Sequence, residues 1–163
     1  MKPIIGIMLF SFIFVGGAYF VLTSGAKPEV PIIAYSSRDK EKPTVEVKES
    51  YYDMGNIKVK DTSVKEFIIK NIGSKPLQLS NVTSSCGCTT GQIIYKGIYS
   101  AEFSMHAQSD YVVSIEPQTE AKMRVVYKPY VMPVYGVVER QVFASTNDPA
   151  HEKLEFKIKA FVQ

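Results

Sequence analysis

The 163-residue sequence predicts an all-β sandwich carried behind a single N-terminal transmembrane helix. Three observations carry that expectation: a long uncharged apolar segment at the start, period-two alternation through most of the rest, and turn residues recurring between the alternating runs. The alternation is cleanest near the C-terminus, where Leu154, Phe156, Ile158 and Ala160 fall on one face and Glu155, Lys157 and Lys159 on the other. Met123, Val125 and Tyr127 oppose Arg124, Val126 and Lys128, and Leu77 and Leu79 alternate with Gln78 and Ser80. Further strands are expected over 45–47, 64–70, 111–115 and 137–145. Asn71-Ile72-Gly73-Ser74, Pro117-Gln118 and Asn147-Asp148-Pro149 supply turns. About seven short strands in roughly 120 residues point to an immunoglobulin-like sandwich, with a small closed barrel as the alternative. Residues 95–110 fit neither pattern and read as a long loop or an extra hairpin.

The apolar segment is opened by Ile4 and closed by Leu22, and no charge occurs from residue 3 to residue 26. Its nineteen residues would reach about 28 Å as a helix, close to the hydrocarbon thickness of a bilayer. Length favours an uncleaved anchor over a cleaved signal peptide, although Ser24-Gly25-Ala26 provides small residues suited to cleavage. Either way the remainder is exported, with Lys2 left on the cytoplasmic side. The expected organisation is anchor or signal peptide over 1–26, a linker with three prolines over 27–43, and one domain over 44–163. Gly16-Gly17-Ala18 would allow a partner helix to approach the anchor closely.

Composition removes several function classes. Nineteen Lys and Arg against sixteen Asp and Glu give a net charge of only +3, with no basic run, so nucleic acid is not an expected partner. Two cysteines cannot build a disulfide-dense scaffold or a four-cysteine zinc site. No Gly-x-Ser-x-Gly, His-Glu-x-x-His or phosphate loop occurs, and an enzyme is not expected.

Both cysteines lie in Ser84-Ser85-Cys86-Gly87-Cys88-Thr89-Thr90. In extended chain, residues i and i+2 share a face with Cα atoms about 6.5 Å apart, near the upper limit for a disulfide, and Gly87 permits a closer approach. Three states stay open: a Cys86–Cys88 disulfide, a dithiol holding a soft ion such as Cu(I), or two packed thiols. Met105 and His106 could add copper ligands if the 95–110 segment folds over the motif. Export favours oxidation. The run of residues 127–135, rich in Tyr and Pro, reads either as a partner-binding edge or as a crossing between strands.

Phe67-Ile68-Ile69-Lys70-Asn71-Ile72-Gly73, Pro76-Leu77, Ser85-Cys86-Gly87-Cys88-Thr89, Val125-Val126-Tyr127-Lys128-Pro129, Gly136 and Ser145-Thr146-Asn147-Asp148 together resemble the bacterial domain-of-unknown-function family 1573. Tyr52-Asp53-Met54-Gly55-Asn56-Ile57 is similar to the motif that opens the family's domain, and the resemblance spans about 44–163. It implies one immunoglobulin-like sandwich related to Hydin and major-sperm-protein domains, which act mainly as binding modules. The connection from Thr89 to Pro117 is longer here than in relatives. The expectation is therefore a non-enzymatic interaction module at the bacterial inner membrane with its domain in the periplasm, bound to other membrane or periplasmic proteins. The alternative is a periplasmic copper or thiol-redox protein acting through Cys86 and Cys88.

Overall fold

In the computed structural model, which describes residues 30–106 and 110–163, ten strands form two open five-stranded sheets. The expected anchor between Ile4 and Leu22, the small residues at 16–18 and 24–26, and the first linker residues lie outside the described residues. Among the described residues no helix is long and apolar enough to cross a membrane.

The strands are β1 (Val45–Glu46), β2 (Tyr51–Ile57), β3 (Ser63–Asn71), β4 (Leu77–Ser84), β5 (Thr89–Tyr95), β6 (Ile98–Tyr99), β7 (Val113–Ile115), β8 (Glu120–Tyr127), β9 (Gly136–Thr146) and β10 (Lys153–Val162). One sheet runs β1-β3-β8-β5-β6 and the other β2-β10-β9-β4-β7. All pairings are antiparallel except β2 with β10, which is parallel. Both sheets have free edges, so the barrel alternative is not realised.

The expected alternation is observed. Leu154, Phe156, Ile158 and Ala160 of β10 and Met123, Val125 and Tyr127 of β8 are buried between the sheets. Phe67 of β3 meets Phe156 of β10 across the sandwich, with ring centroids 5.3 Å apart. Three strands escaped the pattern for identifiable reasons. β2 is exposed on both faces over most of its length and bends at Gly55, whose φ is +68°. β5 carries Gly91 where an inward hydrophobe would be expected. A Cβ there would stand 2.5 Å from Val142 Cγ1 and 3.0 Å from Val82 Cγ1, so the opposite sheet occupies the space a side chain would need. β6 is two residues long and completes a hairpin through Lys96 and Gly97, both at positive φ, which is one of the outcomes expected for 95–110.

The phase of β4 also changes midway. Ser80 pairs with Ser145 but Thr83 with Phe143, so β4 carries one extra residue, absorbed at Asn81 with φ +49°. The bulge moves the inward set from Leu77 and Leu79 to Val82 and Ser84.

Residues 31–35 of the expected linker lie against the domain. Gln78 accepts from Ile33 N at 2.7 Å and donates to Pro31 O at 3.0 Å, imitating a strand neighbour. Gln78, Ser80 and their neighbours are consequently buried on both faces of β4. This end of the sandwich, the proximal pole, also holds Asn71, Asn147 and Asp148, all buried. Asn71 donates to Lys75 O and Ile115 O and accepts from Gly73 N at 3.0 Å. Asp148 accepts from Val45 N and Ala150 N, and its Oδ2 lies 3.1 Å from His151 Nδ1. Buried polar groups cost stability unless paired, and these are paired. The resemblance residues Asn71, Asn147 and Asp148 thus act as pins for turns.

Candidate functional site

The eight residues of β4, at about 3.3 Å each, carry the chain roughly 25 Å from the proximal pole to the opposite, distal pole. There the chain leaves β4 in one sheet, passes through Cys86-Gly87-Cys88 and enters β5 in the other. The two cysteines form a disulfide with a Cα–Cα separation of 5.4 Å, shorter than a flat extended segment would give. The loop is pinned through groups other than sulfur. Ser84 Oγ donates to Cys86 O at 2.7 Å, Ser85 N donates to Gln141 O, Gln141 N donates to Ser85 Oγ, and Lys128 N donates to Cys88 O at 2.8 Å.

Two polar side chains contact the sulfurs. Thr89, first residue of β5 and pointing inward, has its Oγ1 3.4 Å from Cys86 Sγ and 3.9 Å from Cys88 Sγ. Arg140 Nε donates to Cys88 Sγ at 3.3 Å. The guanidinium carbon of Arg140 also lies 6.0 Å from the centroid of the Tyr127 ring. Tyr127 is fully buried, and its hydroxyl has no hydrogen-bond partner among the described residues. Burial pushes its phenol pKa up, opposed in part by the Arg140 charge.

Arg140 was not singled out from the sequence, although the signal was there. Val138, Val142 and Ala144 are the inward residues of β9, and period two places Arg140 between them on the core face. An arginine in an inward register position within a strand needs a partner, and here it meets a sulfur and an aromatic ring.

Residues 100–106 run back along β5 toward this pole. Phe103 bridges Gly91 through two backbone hydrogen bonds and packs at 5.9 Å from the Tyr111 ring. Glu102 pairs with Lys128 at 2.9 Å and accepts from Thr90 Oγ1. Lys128 first, and Thr90 after it, hold the Glu102 carboxyl below the usual carboxylate range against a raising effect of burial. His106 then stands beside Gly87, where a methyl group would touch its Cδ2 at 3.7 Å and its Nε2 at 3.9 Å. Met105 is exposed. Of the copper donors considered from the sequence, the structure thus brings Cys86, Cys88 and His106 to one loop, with both sulfurs joined to each other. Thiolate ligation would first require two-electron reduction of that bond. No group of three or more His, Cys, Asp or Glu among the described residues is arranged to hold a metal ion.

Next to the disulfide loop, the connection from β8 to β9 is a crossing between sheets that contains the 3-10 turn Pro129–Val131. Tyr130, Val131, Met132, Val134 and Tyr135 are exposed along it, Tyr135 at 67%. Val137, 64% exposed, follows on β9 and pairs directly with Phe161 of β10, 46% exposed. Of the two sequence readings of this run, the structure shows the crossing between strands.

Residues 45–105 match the model of a family described as "Protein of unknown function (DUF1573)". No curated protein matches the chain significantly. Among solved structures, a protein of unknown function from Porphyromonas gingivalis W83 superposes with a TM-score of 0.58 at 22% identity, over 74% of this chain and 47% of that one. The chain thus spans about half the length of that protein. The seventh PapD-like domain of human CEP192 is similar over 83% of this chain and 98% of its own, with a TM-score of 0.48 and 12% identity. The YadV chaperone is similar over 73% of this chain and 52% of its own, with a TM-score of 0.45 and 10% identity. The first of these likenesses establishes a shared sandwich fold and nothing about activity.

Proposed function

We propose that the chain is a non-enzymatic, extracytoplasmic protein-interaction module: an immunoglobulin-like sandwich held at a bacterial inner membrane by the segment between Ile4 and Leu22. The strand order supports the immunoglobulin-like assignment. β1-β3-β8-β5 corresponds to strands A-B-E-D, and β10-β9-β4 to G-F-C, with β6 and β7 as short additions at the edges. The match of residues 45–105 to a family model is consistent with the resemblance read from the sequence.

The observation that carries the functional reading is the exposed apolar surface of the distal pole. Seven large apolar side chains, six of them between residues 130 and 137 and the seventh Phe161, face solvent around one strand crossing. Scattered exposed hydrophobes are ordinary, but a cluster with two tyrosines and a phenylalanine is the composition of a protein-binding centre. The polar pins hold the proximal pole rigid and the binding residues sit on the connecting segment between two strands, the usual division between scaffold and recognition surface. The occupant is another membrane or periplasmic protein.

Site-specific photocrosslinking in intact membranes tests this. A photoreactive residue at Tyr135 is expected to give a discrete adduct that Val137→Lys abolishes, whereas the same residue at Tyr99, on the opposite sheet, gives none. Adducts of equal yield from Tyr99, or none from Tyr135, would sink the interaction reading.

A further inference from the structure

We propose that the Cys86–Cys88 disulfide is a thiol–disulfide exchange centre that oxidises a dithiol of an extracytoplasmic protein, with Cys86 as the sulfur attacked and Arg140 as the group that stabilises the departing Cys88 thiolate. The inference goes beyond the interaction reading and does not need the apolar surface to have a partner.

The two sulfurs are not equivalent. Both are core residues, Cys88 at 1% exposed and Cys86 at 9%, so Cys86 is the less enclosed and the one an incoming thiolate would reach first. The leaving sulfur is then Cys88, and it is the one that accepts the Arg140 N–H at 3.3 Å. Thiolates are stabilised by neighbouring arginine, and a disulfide exchanges faster when its leaving thiol has a lower pKa. A surface disulfide needs no such group. Arg140 occupies a core-facing position on β9, between Val138 and Val142, and reaches the buried sulfur from there. Thr89 Oγ1, at 3.4 Å from one sulfur and 3.9 Å from the other, is placed to donate to either once the bond opens.

The loop also suits reversible chemistry. The hydrogen bonds that fix Ser84, Ser85, Cys86 and Cys88 involve backbone and hydroxyl groups, so none of them is lost on reduction. The reduced sulfurs therefore stay close, which keeps the pair able to re-form its bond. Among the described residues, Arg140 donates to Cys88 Sγ, the Tyr127 ring lies 6.0 Å from the Arg140 guanidinium carbon, and the imidazole of His106 stands beside Gly87.

The electrons balance as follows. A substrate thiolate bonds to Cys86 Sγ as the Cys86–Cys88 bond breaks, and the bonding pair leaves on Cys88 Sγ. The second substrate thiol loses its proton and attacks the substrate sulfur of the mixed disulfide, expelling Cys86 as a thiolate. The two protons given up by the substrate are taken up by Cys86 and Cys88. The substrate dithiol is oxidised by two electrons to a disulfide, and the Cys86–Cys88 pair is reduced by two.

The test uses the full chain in mild detergent with reduced glutathione as the probe. Rapid acid quenching, followed by fragmentation mass spectrometry, locates the first adduct, and the rate is followed from pH 5 to pH 9. The expected adduct is on Cys86. Arg140→Gln is expected to slow reduction by about tenfold and to shift the pH dependence of alkylation of the reduced pair upward. Arg140→Lys, which keeps the charge, lies between; it also carries the comparison if Arg140→Gln fails to fold by circular dichroism. A first adduct on Cys88 overturns the assignment of the attacked sulfur. Resistance of the folded wild-type disulfide to glutathione, or rates and pH profiles that neither Arg140 variant moves, overturns the exchange centre itself. Loss of the Tyr135 adducts with these rates intact would instead remove only the interaction reading.

Discussion

The two poles of the sandwich are built on opposite terms. At the proximal pole, Asn71, Gln78, Asn147 and Asp148 are buried, and each spends its side chain on backbone groups of neighbouring segments. At the distal pole an arginine faces the core, a buried tyrosine hydroxyl lacks a partner among the described residues, and large apolar side chains lie in solvent. A satisfied polar network rigidifies, whereas unsatisfied and exposed groups mark places where a structure does something other than hold itself together. The contrast teaches that the motif residues carrying the family resemblance divide the same way. Asn71, Asn147 and Asp148 serve the fold, and Cys86-Gly87-Cys88 serves the open end.

The sharpest way to break that comparison is to remove a pin. Asp148→Ala strips acceptors from Val45 N and Ala150 N and leaves the connection between β1 and the β9–β10 turn without its anchor. The expected loss is about 3 kcal/mol of unfolding free energy by urea titration. A loss below about 1 kcal/mol would show that the pole is not held this way. The same carboxylate sets a pH dependence. Burial raises its pKa, but the N–H groups of Val45 and Ala150 and the His151 ring outweigh it and hold the carboxyl below its ordinary value. Its contribution is therefore complete above the unfolded pKa of about 3.9 and is lost as pH falls through the lower folded value. Acid titration of Asp148→Asn should lack that part of the descent.

A smaller effect is expected midway between the poles. Gly91→Ala would force a methyl into Val142 and Val82, which belong to the opposite sheet. Overpacking of this kind costs about 2 kcal/mol, read as a lower midpoint in denaturant with an unchanged slope.

The smallest effect belongs to the distal pole. Replacing both Cys86 and Cys88 by serine opens a loop of only three residues, for which chain-entropy arguments give about 1.5 kcal/mol. The double variant should stay folded, with calorimetry showing a modest fall in Tm. If it unfolds outright, the disulfide is a pin like Asp148 and the two poles are alike.

Much of the fold was legible because strands are local objects. A period of two in Leu154, Phe156, Ile158 and Ala160, or in Met123, Val125 and Tyr127, reflects the pleat itself and needs no knowledge of partners. β2 and β5 were not legible because each carries a glycine, Gly55 at a bend and Gly91 under the opposite sheet, and the alternation fails where tertiary packing demands the absence of a side chain. Of the candidate site, the pairing of Cys86 with Cys88 was open to reading because the two are nearly adjacent, although the sequence left packed thiols and a metal-bound dithiol standing beside it.

By itself the sequence determined that most of the strands would form, where several of them would turn, and that two sulfurs would stand within reach of each other, since these follow from steric rules acting over a few residues. Only the tertiary structure decided what surrounds the sulfurs. Arg140 comes to Cys88 from 52 residues away, and His106 reaches Gly87 because Phe103 pairs with Gly91. Gln78 likewise draws in residues 31–33 from about 45 positions upstream. Those meetings depend on which strands become neighbours across two sheets, and no local periodicity encodes that choice.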